Sequence, residues 1–379
     1  MWVAGLACLG SGSLCSKMPA DSKLCIVCDD FFRLVLSLIL NCASKYTNNN
    51  INSDLNLSNG FQSTNISNMV KYATEDVTPT PKQETLVING EPDKFESGYA
   101  NMPTTPKATD LVPIMAEKGT GMYRFAVQSV HLRECFAEFL GTYVMLVFGM
   151  GVNNQVTNSE NANGTWLSIN ICWGIGVMIG VYCSEGISGA NLNTAVTLAH
   201  CVYGRLPWWK APGYMFSQFL GAFCGAFTIW VMQWQNLNKI DPNRETTQSS
   251  FSTYPAEGIS NYTAFYTEFI GTAMLVLAIY AITDQKNRPA GKYGNAFAFA
   301  LMIMALGMAF GMNTGYAVNP ARDFGPRLFT LCAGWGTKTF TSHHYYFWIP
   351  IVSDLLGGVA GAGLYRLLVE IHHPQTPLL

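Results

Sequence analysis

SGANLNTAVTLA (188–199) lies between two oily stretches and is itself made of small, polar and apolar residues. TGYAVNPARDFG (314–325) repeats the design, with a glycine-containing approach to an Asn-x-Ala triplet. The triplets are Asn193-Thr194-Ala195 and Asn319-Pro320-Ala321. A second repeat precedes each of them. AEFLGT (137–142) and TEFIGT (267–272) each place a glutamate near the start of an apolar stretch. Asn193 follows Glu138 by 55 residues and Asn319 follows Glu268 by 51. The chain therefore contains one arrangement twice.

Composition says where such an arrangement sits. Only 12% of the 379 residues are charged and the mean hydropathy is +0.17, against roughly 25% charged residues in a soluble domain. Six stretches have the length and apolarity of bilayer-spanning helices, about 17–25 residues. They fall near 135–152, 167–183, 213–232, 264–283, 294–312 and 345–369. Each half reads as a Glu-bearing span, a second span, an Asn-x-Ala element and a third span. Three is an odd number, so the second half enters the bilayer inverted.

After each triplet the apolar run is too short to cross. One extends from Thr194 to about Val202, the other from Pro320 to about Cys332. Non-helical backbone followed by half a helix is tolerated at membrane depth only inside protein or along a watery cavity. The expected fold is an all-α membrane protein with six transmembrane helices plus two re-entrant half-helices in an inverted 3+3 repeat. The half-helices meet tip to tip at Asn193 and Asn319.

The chemistry follows from that meeting. An Asn side-chain oxygen caps first-turn N–H groups, which leaves its NH₂ as a donor toward the path. Both positive helix ends point at the same place. Cations and hydronium are repelled there, while a neutral hydroxyl oxygen is accepted. The unwound approaches, Gly189-Ala190-Asn191 and Gly315-Tyr316-Ala317, are expected to line the path with carbonyls. Glu138 and Glu268 are expected to brace those loops by accepting their N–H groups, since an intramembrane carboxylate is costly without an internal partner. Gly176 and Gly180, Gly221 and Gly225, and Gly357 and Gly361 are spaced for close helix packing.

Basic residues set the orientation. Lys118, Arg124 and Arg133 precede the first span, Arg205 and Lys210 follow the second, and Lys286, Arg288 and Lys292 follow the fourth. NNQVTNSENANGT, after the first span, has no Lys or Arg. Both termini are thus expected in the cytoplasm. Asn163 and Asn261 head sequons in loops outside and are candidate glycan acceptors. Asn56 and Asn65 head sequons on the cytoplasmic side and are expected to stay bare.

Residues 1–120 are rich in Asn, Ser, Thr and Pro and read as a disordered tail. Residues 121–379 read as the channel domain, with repeats over about 133–233 and 262–370. FFRLVLSLIL (31–40) is too short to span. The Cys25–Cys28 pair lacks the further ligands of a zinc site, and the eleven scattered cysteines are uninformative for function. No metal cluster, cofactor motif or nucleophile–base pair supports an enzyme. The net charge of −2 gives no sign of a nucleic-acid partner.

From about Arg133 onward the sequence resembles the aquaporin, or major intrinsic protein, family. GYAVNPARDFGPRLFT (315–330) resembles its aquaglyceroporin branch. The resemblance implies a passive channel for glycerol and other small neutral solutes together with water, in a homotetramer in the lipid bilayer of the plasma membrane. It also implies a four-residue selectivity filter at Trp173, Gly307, Tyr316 and Arg322. Gly307 stands where water-selective members usually carry His and would leave room. The two rings would face a carbon chain, and Arg322 would donate to hydroxyls. Asp323 is typical of the branch and is placed to pair with Arg327 at i,i+4.

Three positions depart from the family pattern. Thr194 replaces Pro, Asn191 stands where His is common, and Asp354 where Pro is common. The Thr194 hydroxyl is expected to bond locally, and Asp354 to sit near a mouth, in a water-filled space or buried. Glu185 is expected at the cytoplasmic vestibule as a solvated residue, with pH-dependent gating the sharper alternative. Two competing readings are a channel limited to water, against which Gly307 argues, and a non-conducting scaffold or adhesion protein built around the N-terminal tail. A scaffold would have no use for Arg322, Asn193 and Asn319.

Overall fold

The computed structural model describes residues 126–374. The tail over 1–120, the Cys25–Cys28 pair, the run 31–40 and the sequons at Asn56 and Asn65 lie outside the described residues. The described residues form helices joined by loops, with no strand among them. Its first half holds α1 (Val130–Asn158), α2 (Trp166–Ser188), the half-helix α3 (Thr194–Val202) and α4 (Ala211–Met232). A short α5 (Trp234–Ile240) leads into the inter-repeat segment. The second half holds α6 (Asn261–Thr283), α7 (Gly291–Thr314), the half-helix α8 (Pro320–Thr330), α9 (Lys338–Tyr345) and α10 (Ile349–Leu368). Six helices are long and apolar enough to cross a membrane, and the protein is a multi-pass membrane protein.

The spans differ from expectation mainly at their ends. Helix α1 runs 29 residues, longer than hydropathy suggests at both ends. Ser129 caps its start by accepting from Leu132 N at 3.3 Å. At the other end Asn154 Nδ2 donates to Met150 O and to Ser250 O, so polar side chains extend the helix past its apolar stretch. The last span starts at Ile349 rather than near 345. His343, His344 and Tyr345 all have positive φ, and Pro350 sits in the first turn, where its missing N–H has no helical partner to lose. The second half-helix ends at Thr330 and passes into a π-turn over Leu331–Trp335.

Helix contacts repeat across the halves. A Cβ on Gly221 of α4 would lie 2.5 Å from Phe139 O of α1, and one on Gly357 of α10 would collide with Phe269 O of α6. Phe139 and Phe269 each follow the repeat glutamate. Four residues further along, Gly225 faces Tyr143 O, and Gly361 faces Ala273 O. Gly180 approaches Gly141 O to 2.7 Å by the same measure. Small residues here let backbones touch, which sustains helix association where lipid is as apolar as the interface. The outward faces keep exposed apolar side chains such as Phe136, Phe148, Phe216, Phe297 and Leu356, the surface a bilayer covers.

Candidate functional site: a path between two half-helix tips

Each half-helix begins at its Asn. Asn193 Oδ1 accepts from Ala195 N at 2.8 Å, and Asn319 Oδ1 accepts from Ala321 N at 3.0 Å and Arg322 N at 3.4 Å. The free amides cross over. Asn193 Nδ2 donates to Val318 O at 2.7 Å, and Asn319 Nδ2 donates to Leu192 O at 2.8 Å. One N–H of each amide is thereby spent on the opposite loop.

The loops leading in have the same backbone path. Gly189, Ala190 and Leu192 have positive φ, as do Gly315, Tyr316 and Val318. Non-glycine residues with positive φ are strained, so something must hold them. Glu138 accepts from Asn191 N at 2.9 Å and Leu192 N at 2.8 Å, and also from Ser188 Oγ and Gln218 Nε2. Glu268 accepts from Ala317 N and Val318 N, both at 2.9 Å. The N–H groups of these loops are thus held by the glutamates, while Leu192 O and Val318 O accept the crossing amides.

A single cavity is lined by Trp173, Tyr316 and Arg322, by Asn193 and Asn319, and by Asn191 and His200. Gly189, Ala190 and Ala317 also line it, whereas Gly315, Thr194, Ala195, Pro320, Ala321 and Gly307 do not. The wall otherwise includes Val177, Leu275, Ile279, Phe299 and Ile303, so a few polar groups stand among apolar side chains.

Arg322 Cζ lies 4.5 Å from the centre of the Trp173 ring, and its Nη1 donates to Phe251 O at 3.2 Å. The segment carrying Phe251 is clamped in turn. Asp323 Oδ1 accepts from Thr253 N and Thr253 Oγ1, each at 2.7 Å. Arg327 forks onto Asp323, with Nε to Oδ2 at 2.9 Å and Nη2 to Oδ1 at 3.0 Å. The same guanidinium reaches Thr339 O and Thr253 O. Both partners are fully buried.

Gly307 plays a different part from the one expected. The place of its missing side chain is filled, not open: a Cβ there would meet Asn170 Oδ1 and lie 2.5 Å from Tyr316 Cζ. Gly311, one turn on, gives way to Trp166 and Tyr316. Two glycines of α7 thus form a bed for the Tyr316 ring, and the ring presents the wall. The Thr194 hydroxyl is buried with no hydrogen-bond partner among the described residues, contrary to the local bond expected of it. Asp354 lies at no mouth; it is fully buried beside Ser353, whose Oγ donates to it at 3.4 Å. Glu185 is half-buried near the end of α2. Asn163 is exposed, while Asn261 opens α6 and donates to His344 O.

Several site residues carried no recognisable sequence signal. Asn191 Oδ1 faces His200 Nδ1 at 3.2 Å, and Asn191 Nδ2 donates to Thr197 Oγ1 at 3.2 Å. Gln218 Nε2 joins Thr197 Oγ1 and Glu138 Oε2 at 2.9 and 2.8 Å. One polar chain therefore connects the Glu138 brace to His200 in the cavity. Among the described residues no cluster of His, Cys, Asp or Glu could hold a metal ion.

Six spans and two half-helices whose capping asparagines line one cavity are the arrangement of a membrane channel of the inverted-repeat kind. The chain belongs to the major intrinsic protein family, whose model matches residues 126–365. It is 37% identical over 272 residues to human Aquaporin-9, covering 70% of this chain and 92% of that one. It is 41% identical over 263 residues to Aquaporin-10 of Milnesium tardigradum, and there the match spans 64% of each chain. The X-ray structure of the aquaglyceroporin from Plasmodium falciparum superposes with TM-score 0.58 at 33% identity, covering 63% of this chain and 97% of that chain.

Proposed function

We propose that the protein is a passive channel for glycerol, water and other small uncharged solutes, excluding protons and ions. The observation that carries this reading is Arg322 set against the Trp173 face in a cavity whose other aromatic wall is Tyr316. A polyol has a carbon edge and a hydroxyl edge. The two rings suit the first and Arg322 the second. Two half-helix N-termini and the Arg322 charge at the path disfavour cations. The likeness to an aquaglyceroporin structure points the same way.

The filter is assigned to Trp173, Tyr316 and Arg322, with Gly307 acting as the bed that admits Tyr316. Asn193 and Asn319 form the central donor pair, and Glu138, Glu268, Asp323 and Arg327 hold the surrounding backbone. The chain works in the plasma membrane as a homotetramer with both termini in the cytoplasm, and Asn163 and Asn261 face outward as candidate glycan acceptors. It is not an enzyme and uses no cofactor. Uptake of labelled glycerol into oocytes expressing the full chain tests the reading. Uptake well above that of uninjected cells is expected, and uptake at their level would overturn it.

A further inference from the structure

Trp173 belongs to α2, but its plane is fixed from α1. Gly149 of α1 forms a flat bed: a Cβ there would lie 2.5 Å from three atoms of the indole. One turn further along, Asn153 Oδ1 accepts from Trp173 Nε1 at 3.1 Å. The bed and the acceptor therefore stand at i and i+4 on one face of α1, the spacing that aligns side chains along a helix. The second torsion of a tryptophan side chain is soft, so a bed alone leaves the ring free to turn in its slot.

The bond has two consequences for the cavity. It directs the indole face at Arg322, whose Cζ lies 4.5 Å from the ring centre; such a face attracts a guanidinium. It also withdraws the indole N–H from the lumen, so this wall offers carbon only. Phe251 O anchors Arg322 Nη1 at 3.2 Å. The guanidinium is thus positioned by a ring that α1 holds and by a carbonyl that the inter-repeat segment holds.

We propose that Asn153 is a specificity-determining positioning residue, which sets polyol selection by locking the Trp173 indole against Arg322. The assignment rests on the polyol-conducting reading above. Asn153 is half-buried and touches the solute path only through Trp173.

The test is the glycerol-to-water permeability ratio of the full chain in proteoliposomes. Asn153→Leu removes the acceptor at similar volume and is expected to lower the ratio about fivefold, the factor corresponding to one net hydrogen bond, with water flux retained. Asn153→Asp keeps the acceptor and is expected to keep the wild-type ratio. On a Trp173→Phe background the anchor is already gone, so Asn153→Leu should change nothing further, as required of residues acting as one unit. An unchanged ratio in Asn153→Leu, an equal fall in Asn153→Asp, or a further fall on the Trp173→Phe background would overturn the proposal. Where Asn153→Leu does not reach the membrane, Asn153→Ala takes its place, with the same expected fall and the same contrary outcomes. A wild-type protein without glycerol flux would overturn the polyol reading itself. An unchanged ratio in a glycerol-conducting protein would overturn only the role of Asn153.

Discussion

Asn193 and Asn319 each donate to the carbonyl of the residue that immediately precedes the other: Asn193 to Val318 O at 2.7 Å, and Asn319 to Leu192 O at 2.8 Å. Each also caps its own half-helix. The pair is thus a joint between the repeats, and both residues line the cavity. Replacing either with Ala removes a cap and one cross-repeat bond, a loss of about 2 kcal/mol. The two single variants should lower the thermal unfolding temperature in detergent by similar amounts. The double variant should lose less than their sum, because both bonds belong to one joint.

Thr194 stands at the first position of its half-helix with an orphaned, buried hydroxyl. Thr194→Pro removes that hydroxyl and presets the φ that this position prefers. A gain in stability of up to about 1 kcal/mol is expected, with glycerol and water flux unchanged in swelling assays. A new solute preference in this variant would show that the triplet's middle residue takes part in selection.

Arg327 uses Nε, Nη1 and Nη2 at once, on the Asp323 carboxylate and on two carbonyls. Lysine has a single ammonium and cannot reproduce the fork. Breaking such a buried pair typically costs about 3–5 kcal/mol, so Arg327→Lys should be strongly destabilised in thermal unfolding. It should also lose polyol selection, because the freed segment carries the Phe251 carbonyl that anchors Arg322.

Asp241 lies in the segment between the repeats, outside the spans. Burial works against its charge, but N–H groups of Glu245, Thr247 and Thr246 outweigh it and hold the carboxyl at about 2. The folded value lies below the ordinary 3.8. The stabilisation it gives is therefore fully present above about pH 4 and lost as pH falls toward 2. Thermal unfolding of wild type and Asp241→Asn should differ most above pH 4 and converge near pH 2. A constant gap across that range would contradict the assignment.

Much of this architecture was legible in the sequence, because inverted repetition leaves paired marks. AEFLGT and TEFIGT, the two Asn-x-Ala triplets and the small-residue approaches fix which segments correspond. The first half-helix ends where its apolar run stops, at Val202. What could not be read were contacts made across the fold by ordinary polar residues. Gln218, Thr197 and His200 belong to no repeat or motif, and only the fold sets them beside Glu138 and Asn191. Asn153 looks like a loop residue because α1 outruns its hydropathy. Gly307 suggested open space, since a sequence shows a missing side chain but not the neighbour that fills the gap.

One path between the two half-helix tips is proposed to carry both a polyol and water. Stopped-flow light scattering of proteoliposomes reads it directly, comparing shrinkage under an impermeant osmolyte with reswelling under a glycerol gradient. Shrinkage and glycerol reswelling should both be faster than in protein-free vesicles, and both should be abolished by a bulky residue at Asn319. Fast shrinkage with glycerol reswelling no faster than in empty vesicles would contradict it.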